Sequence, residues 1–477
     1  MSPYQATPSL LHPDRLLPAE PSVRSLAREL YQAVAEAPLV SPHGHCEAHW
    51  FADNTPFPNP TDLLVTPDHY VLRMLMSQGV SYDALGVPRA DGTRAELSPL
   101  AAWQVFADHY HLFRGTPSRF WLDHALHEVL QVPMALGPQT AGDVYDHIAT
   151  QLSSDAYRPR ALFERFNLEI LATTDAATDS LDHHHALRNQ GLASIIPTFR
   201  PDTLTNPLHP QFAASMEQLA AQTGEHVSSW RGYLAALAAR RIFFKSMGAT
   251  ASDHGVVKPA TLDLPEVECQ ALLEAALAGK ISAAGAARFE AQMLFEMARM
   301  SVDDGLVMQI HAGPRRNFAP GVFQQYGPDK GFDLPGPTLW LDNLKPMLDA
   351  FGFEPNFAVI LYTVDETTYT RELAPLAGAF PSVTVGAPWW FFDSVEGMRR
   401  YRRAVTETAG FYNTAGFVDD TRAFLSIPAR HDMYRRVEAG TVAALVAEHA
   451  LSMDEAFEVM DALATGLARR AYKLSAS

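Results

Sequence analysis

The sequence predicts an α/β protein built as a (β/α)8 barrel of the TIM type, with a large helical insertion after its first strand. Three observations carry that expectation. Short apolar runs that end in polar residues recur along the chain, segments with the 3.6-residue apolar repeat of amphipathic helices lie between them, and one interval between runs is far too long for a simple crossover.

In chain order, residues 1–36 read as an N-terminal extension and helix, and residues 37–46 as the first strand (APLVSPHGHC). Later strand candidates are Leu168–Asp175, Ala193–Phe199, Gly248–Gly255, Gly305–Gly313, Asn356–Thr363, Ser382–Trp389 and Gly410–Asp420. Phe289–Met300 and Thr441–Met453 carry the helical repeat. Strands alternating with helices of this length imply parallel βα units, and eight of them fit a closed barrel better than a doubly wound sheet. Residues 47–165 hold helical patterns such as HALHEVL (124–130) and DVYDHIATQL (143–152), and read as the insertion. A loop after a barrel strand opens on the C-terminal face, so this segment is expected to roof the site. Residues 166–477 are the remainder of the barrel with C-terminal helices, interrupted by a smaller excursion at 259–285.

Composition excludes some partners. A formal charge of −17 over 477 residues repels nucleic acid and anionic membranes at long range, yet allows a small anionic substrate wherever arginines set a local positive field. The first residues lack the pattern of a signal peptide, and no run approaches a membrane span. Cys46 and Cys269 are too few for a disulfide framework, which points to the cytoplasm. A homo-oligomer is compatible with this sequence.

The sharpest local feature is HGHC at 43–46. Two positions apart on a strand, His43 and His45 face the same way and can reach one ion at a barrel mouth. Further ligands must come from other strand ends, where Asp253, His254, His311 and Asp420 stand. A closed barrel puts the eighth strand beside the first, which favours Asp420. Arg200, Arg315, Arg316 and Arg422 fall at the same ends and suit a planar anion such as a carboxylate. His69 and Tyr70, in PDHY, can serve acid/base work or simply begin a helix capped by Asp68. Trp389 and Trp390, in PWWFFD, wall a substrate pocket or pack the rim. Neither a P-loop nor a Rossmann glycine fingerprint occurs.

Taken in order, HGHC, DHY, ATTDA, IPTFRPD, SDHG, QIHAGPRRN, PWWFFDSVEGM and DDTRAFLSIPARH resemble the blocks of uronate (glucuronate) isomerases, barrel enzymes of the amidohydrolase superfamily. The likeness runs from about residue 38 to 440. It implies interconversion of D-glucuronate with D-fructuronate and of D-galacturonate with D-tagaturonate, within carbohydrate metabolism. By position it makes His43, His45 and Asp420 the metal ligands, and Asp420, Arg422, His69 and Tyr70 the catalytic set. It makes Arg200 the contact to the substrate carboxylate, with His311, Arg315, Trp389 and Trp390 around the sugar. One divalent ion is expected: zinc first, manganese or another first-row metal fitting the same donors. The chain departs from the usual blocks at Gly44, at Cys46–Ala48, at Pro67 and Val71 around the DHY block, at Ala176 and Ala177, and at Asp419, Thr421 and Ala423, which marks a divergent member. The competing expectation is a metal-dependent hydrolase, a lactonase or amidase acting on an acidic sugar derivative.

Overall fold

The computed structural model describes residues 10–474. Its strands are β1 Leu39–Ser41, β2 Leu168–Ala172, β3 Asp175–Ala176, β4 Ile195–Ile196, β5 Phe199–Arg200, β6 Ala251–Val256, β7 Val307–Ala312, β8 Pro314–Arg315, β9 Leu334–Pro335, β10 Val359–Thr363 and β11 Val383–Val385. The sheets run in the orders β1-β2-β4 and β11-β10-β7-β6-β5-β3, with β8-β9 as a separate antiparallel pair. All pairings in the two larger sheets are parallel. Their strands are almost wholly buried, as apolar runs covered on both faces must be. The α/β class and the helical insertion are therefore as expected, whereas the hydrogen bonding does not form one closed eight-stranded sheet.

Two features account for the difference. β2 and β3, and likewise β4 and β5, are short pieces of one extended run each, and backbone bonds from Thr173 to Ile196 and from Asp175 to Thr198 carry the pairing across the gap. The expected eighth strand, 410–420, makes only an isolated bridge from Thr414 to Val385. Positive φ at Gly410 and Gly416 turns the chain out of the extended conformation there, and Asp420 itself sits at φ +38°.

Between β1 and β2 the chain is helical. Pro60–Leu64, Pro99–Asp108, Pro117–His124 and Pro159–Arg165 each begin on proline, where the missing N–H would have no partner anyway, and Asn59, Ser98 and Thr116 cap the first three with side-chain oxygens. Phe51, Val71, Leu75, Trp103 and Phe106 from the helices of this segment, which also include Ala48–Asp53 and His69–Met76, share one apolar cluster with Leu39, Leu168 and Leu171 of β1 and β2. Burial of each such side chain is worth about 1.5–3 kcal/mol, so the insertion is fastened to the sheet it covers. Thr441–Met453 is not one helix: Ile427–Ala447 ends first, and a reciprocal cap between Ser452 and Glu455 starts Met453–Asp461. Among the described residues no helix is long and apolar enough to cross a membrane.

Candidate metal centre and its rim

β1 ends at Ser41, and the chain carries His43 and His45 onward with their rings 5.3 Å apart, edge to face. The His45 amide donates to the Thr421 carbonyl at 3.0 Å. That bond sets the start of the chain against the segment bearing Asp420, whose left-handed backbone aims the carboxylate back at the histidines. His45 Nε2 lies 3.1 Å and His43 Nε2 3.5 Å from Asp420 Oδ1. Asp420 Oδ1 is buried and makes no hydrogen bond meeting normal geometry.

A second group shares His43: His43, Asp253 and His311 also bring their ligand atoms within 4.8 Å of one another. His311 Nδ1 bonds Asp253 Oδ1 at 2.6 Å, and the His311 ring stacks between His43 and Tyr362 at centroid distances of 4.6 and 4.2 Å. Buried His311 Nε2 has no hydrogen-bond partner. Two or three imidazoles and a carboxylate gathered with unsatisfied buried atoms are the donor set of a divalent first-row ion, and the residues present fit one.

The electrostatics agree. Burial works against an ionised Asp420, but His43 and His45 beside it hold its carboxyl well below the usual range. Asp253 is likewise held low against burial by His311, Arg200 and His43. Burial shifts His45 downward despite Asp420. His43 is also buried, yet the carboxylates of Asp420 and Asp253 raise it.

Around this centre lies a rim built largely from distant segments. Asp68 caps the helix His69–Met76 by accepting from the Tyr70 and Val71 amides. This orients His69, whose buried Nε2 has no partner, and Tyr70, whose hydroxyl donates to Asp393 at 3.0 Å. Burial, reinforced by Arg422 and Arg430, pushes His69 down to about 3. Trp389 packs its edge on His311 at 4.7 Å, and the Trp390 ring lies 5.4 Å from His69. Trp390 adopts φ +56°, a strained backbone for a bulky residue.

The expected arginines occupy different places. Arg200 bonds Asp202 through Nε at 2.8 Å and sets Nη1 3.2 Å from Asp253. Arg422 pairs with Asp329 at 3.3 Å, and Arg316 reaches the same Asp329 at 3.9 Å and Asp333 at 3.1 Å. Arg315 lies exposed on β8, so it is Arg316 that stands near the Trp390 ring, at 5.8 Å. His254 turns instead to Ser252, at 3.1 Å. Sequence reasoning missed Asp329, Asp393, Arg430 and Tyr362. Asp393 and Arg430 form a buried pair at 2.8 Å across 37 positions, with no local signal for it. Asp393 does, however, end the PWWFFD block.

Comparisons with known proteins place these residues in context. A family model described as glucuronate isomerase matches residues 22–471. The chain is 54% identical over 465 residues to a uronate isomerase of Xanthomonas euvesicatoria pv. vesicatoria (strain 85-10), covering 97% of this chain and 98% of that one. Its structure is similar to the crystal structure of glucuronate isomerase from Caulobacter crescentus, with a TM-score of 0.96, 50% identity and 98% of each chain covered. The uronate isomerase of Thermotoga maritima gives a TM-score of 0.90 at 28% identity, covering 97% of this chain and 99% of that one.

Proposed function

The chain belongs to the glucuronate isomerase family, and from that premise we propose how it converts a hexuronate aldose to its ketose. The enzyme is a metal-dependent uronate isomerase, and D-glucuronate and D-galacturonate are its substrates. The observation that carries this reading is the convergence of His43 and His45, which follow the first strand, on the carboxylate of Asp420 nearly four hundred positions later. These residues would hold one divalent ion, zinc by preference, which supplies positive charge beside the substrate oxygens that become negative.

Isomerisation breaks the C2–H bond and forms C1=C2 as negative charge moves to O1; the O2 hydroxyl then loses its proton as C2=O forms, C1 is protonated and O1 takes up a proton. No atom is added and no external redox partner is needed. Asp420, held ionised by the histidines, is in the correct form to take the C2 proton, which exchanges with solvent before a proton is delivered to C1. Arg422 lies on the same loop, and its positive charge stabilises the negative charge that develops in the cleft. His69 is neutral, so it exchanges a proton with a sugar oxygen rather than standing as a fixed cation. Tyr70 gives its proton to Asp393 and keeps a lone pair for a substrate hydroxyl.

Arg200, between two carboxylates of the protein, and the more exposed Arg422 receive the carboxylate of the sugar. His311, with Trp389, Trp390 and Arg316, completes the walls, Arg316 taking the place expected of Arg315. We take the two parallel sheets as the staves of a barrel of the amidohydrolase kind, residues 47–165 as its inserted roof, and two buried free thiols as suited to the cytoplasm.

The test is a set of uronic acids incubated with metal-stripped and metal-reconstituted protein in D2O and followed by NMR. Ketose carrying solvent deuterium at C1, formed only after reconstitution, is the expected result. Full turnover by metal-free protein, or a product with a newly released acid group, overturns the reading.

A further inference from the structure

We infer that Arg200 decides which of the two donor groups holds the ion, acting as a built-in cation that keeps a metal off the Asp253 side of His43. The inference rests on the metal centre described above and goes beyond it. Two triads share His43, one completed by His45 and Asp420, the other by Asp253 and His311, and both satisfy the same condition on ligand spacing. By donor type alone the second is the equal of the first: two imidazoles and a carboxylate, all three residues buried. The residue types do not choose between them, although in the second group His311 Nδ1 and Asp253 Oδ1 are already bonded to each other.

The charge already present does. Arg200 Nη1 lies 3.2 Å from Asp253 Oδ2, so the carboxylate of the second triad already faces a positive charge. No arginine or lysine pairs with Asp420 among the described residues, whose ion-pair neighbours are the two histidines alone. A divalent ion entering beside Asp253 would meet a guanidinium in direct contact with its carboxylate, while one entering beside Asp420 would meet a carboxylate whose ion-pair partners are imidazoles, with arginines further off.

The guanidinium is also placed by construction. Asp202 accepts from its Nε at 2.8 Å. A Cβ on residue 255 would come within 2.7 Å of Arg200 Nη2 and 3.0 Å of Asp202 Oδ2, so Gly255 leaves the space in which the pair sits. Gly255 has no left-handed backbone to explain it, and close approach is the reason for glycine at this position. Arg200 is therefore a positioning residue for the ion, independent of any contact it makes with substrate.

Metal retention by the full-length protein reads this out without turnover. Purified wild type, His45→Ala, His45→Ala/Arg200→Gln and His45→Ala/Arg200→Lys are equilibrated with Mn2+ and their affinities and stoichiometries measured, with circular dichroism confirming that each is folded. His45→Ala is expected to lose affinity by more than ~100-fold, since a direct ligand matters more than the outer partners that are worth ~10–100-fold. The Gln double variant should recover at least ~10-fold of that loss as His311 and Asp253 take the ion, and further replacement of Asp253 by Asn should abolish the recovery. The Lys double variant, which keeps the charge, should recover nothing.

Unchanged affinity in His45→Ala would overturn the metal centre itself. Loss in His45→Ala without recovery in the folded Gln variant would overturn the role of Arg200 alone. Should the Gln double variant not fold, Gly255→Ala in the His45→Ala background displaces the flexible guanidinium instead, and absence of recovery there counts against the inference equally.

Discussion

The Tyr70 hydroxyl, carried by the helical segment between β1 and β2, donates to the buried Asp393 carboxylate that follows β11, at 3.0 Å. Arg430 donates to the same oxygen at 2.8 Å and lays its guanidinium 3.7 Å over the ring of Trp121, another residue of the inserted segment. One carboxylate thus ties the roof to the rim. Replacing Tyr70 with Phe removes a hydrogen bond to a charged acceptor, which is worth about 1.5–3 kcal/mol. Urea unfolding should register that loss, and kcat of the folded variant should fall by more than ~10-fold. Loss of stability with kcat unchanged would confine Tyr70 to architecture.

Asp393 itself gives a pH signature. Burial raises its carboxyl to about 6, against the pull of Arg430 and the Tyr70 bond. A folded-state value above the unfolded one near 3.8 means that its contribution to stability is fully present below about pH 4 and is lost as the pH rises through about 6. The difference between the two values corresponds to roughly 3 kcal/mol. Melting of wild type minus Asp393→Asn across pH 4 to 7 isolates it from the carboxylates held low elsewhere. The subtracted curve should decline toward neutral pH; a flat or rising one contradicts the assignment.

The site was partly legible in the chain because His43 and His45 are local: two positions apart, both reach the Asp420 carboxylate, although β1 ends at Ser41 and the strand expected to hold them stops short. Asp420 could be matched but not oriented, since nothing in DDTRA announces the left-handed backbone that turns its carboxylate inward. Arg200 stood at the expected strand end, but its two acidic neighbours come from a following helix and from β6, and only the fold brings Asp253 to it. The break after Ala447 was readable, because Ser452 and Glu455 have the spacing of a reciprocal cap, but the apolar repeat running through it hid the signal. Strand positions were legible because parallel strands are continuously apolar. Their closure was not, because it depends on backbone turns at Gly410 and Gly416.

His69 makes a kinetic prediction. With its imidazole held near 3, it is uncharged throughout the range in which the enzyme can be assayed. The pH profile of kcat/KM in wild type should therefore show no limb between pH 5 and 8 that vanishes in His69→Gln. That variant should instead lower kcat by a similar factor, ~10²–10⁴, at every pH. A limb near pH 6.5 present in wild type and missing in the variant would show that His69 titrates at its ordinary value, and would remove the neutral proton exchange proposed for it.

Gly386, the residue after β11, lies at the foot of a stack of rings that ends on His43, one of the proposed ligands. A Cβ there would lie 2.5 Å from the Tyr362 ring, and that ring is stacked within 8° of parallel on His311, which in turn stacks on His43. The order Gly386, Tyr362, His311, His43 is a pile of flat groups with glycine as its base. The Tyr362 hydroxyl is bonded to Tyr472 and cannot swing away freely. Gly386→Ala must therefore push the ring toward His311, at an overpacking penalty of about 1–3 kcal/mol. The displacement should reach His43, so that Mn2+ is retained more weakly than in wild type although no ligand has changed. Trimming the ring in Gly386→Ala/Tyr362→Leu removes the clash and should return part of the lost affinity. If Gly386→Ala destabilises the fold while binding Mn2+ as tightly as wild type, the stack supports the sheet and does not position the ligand.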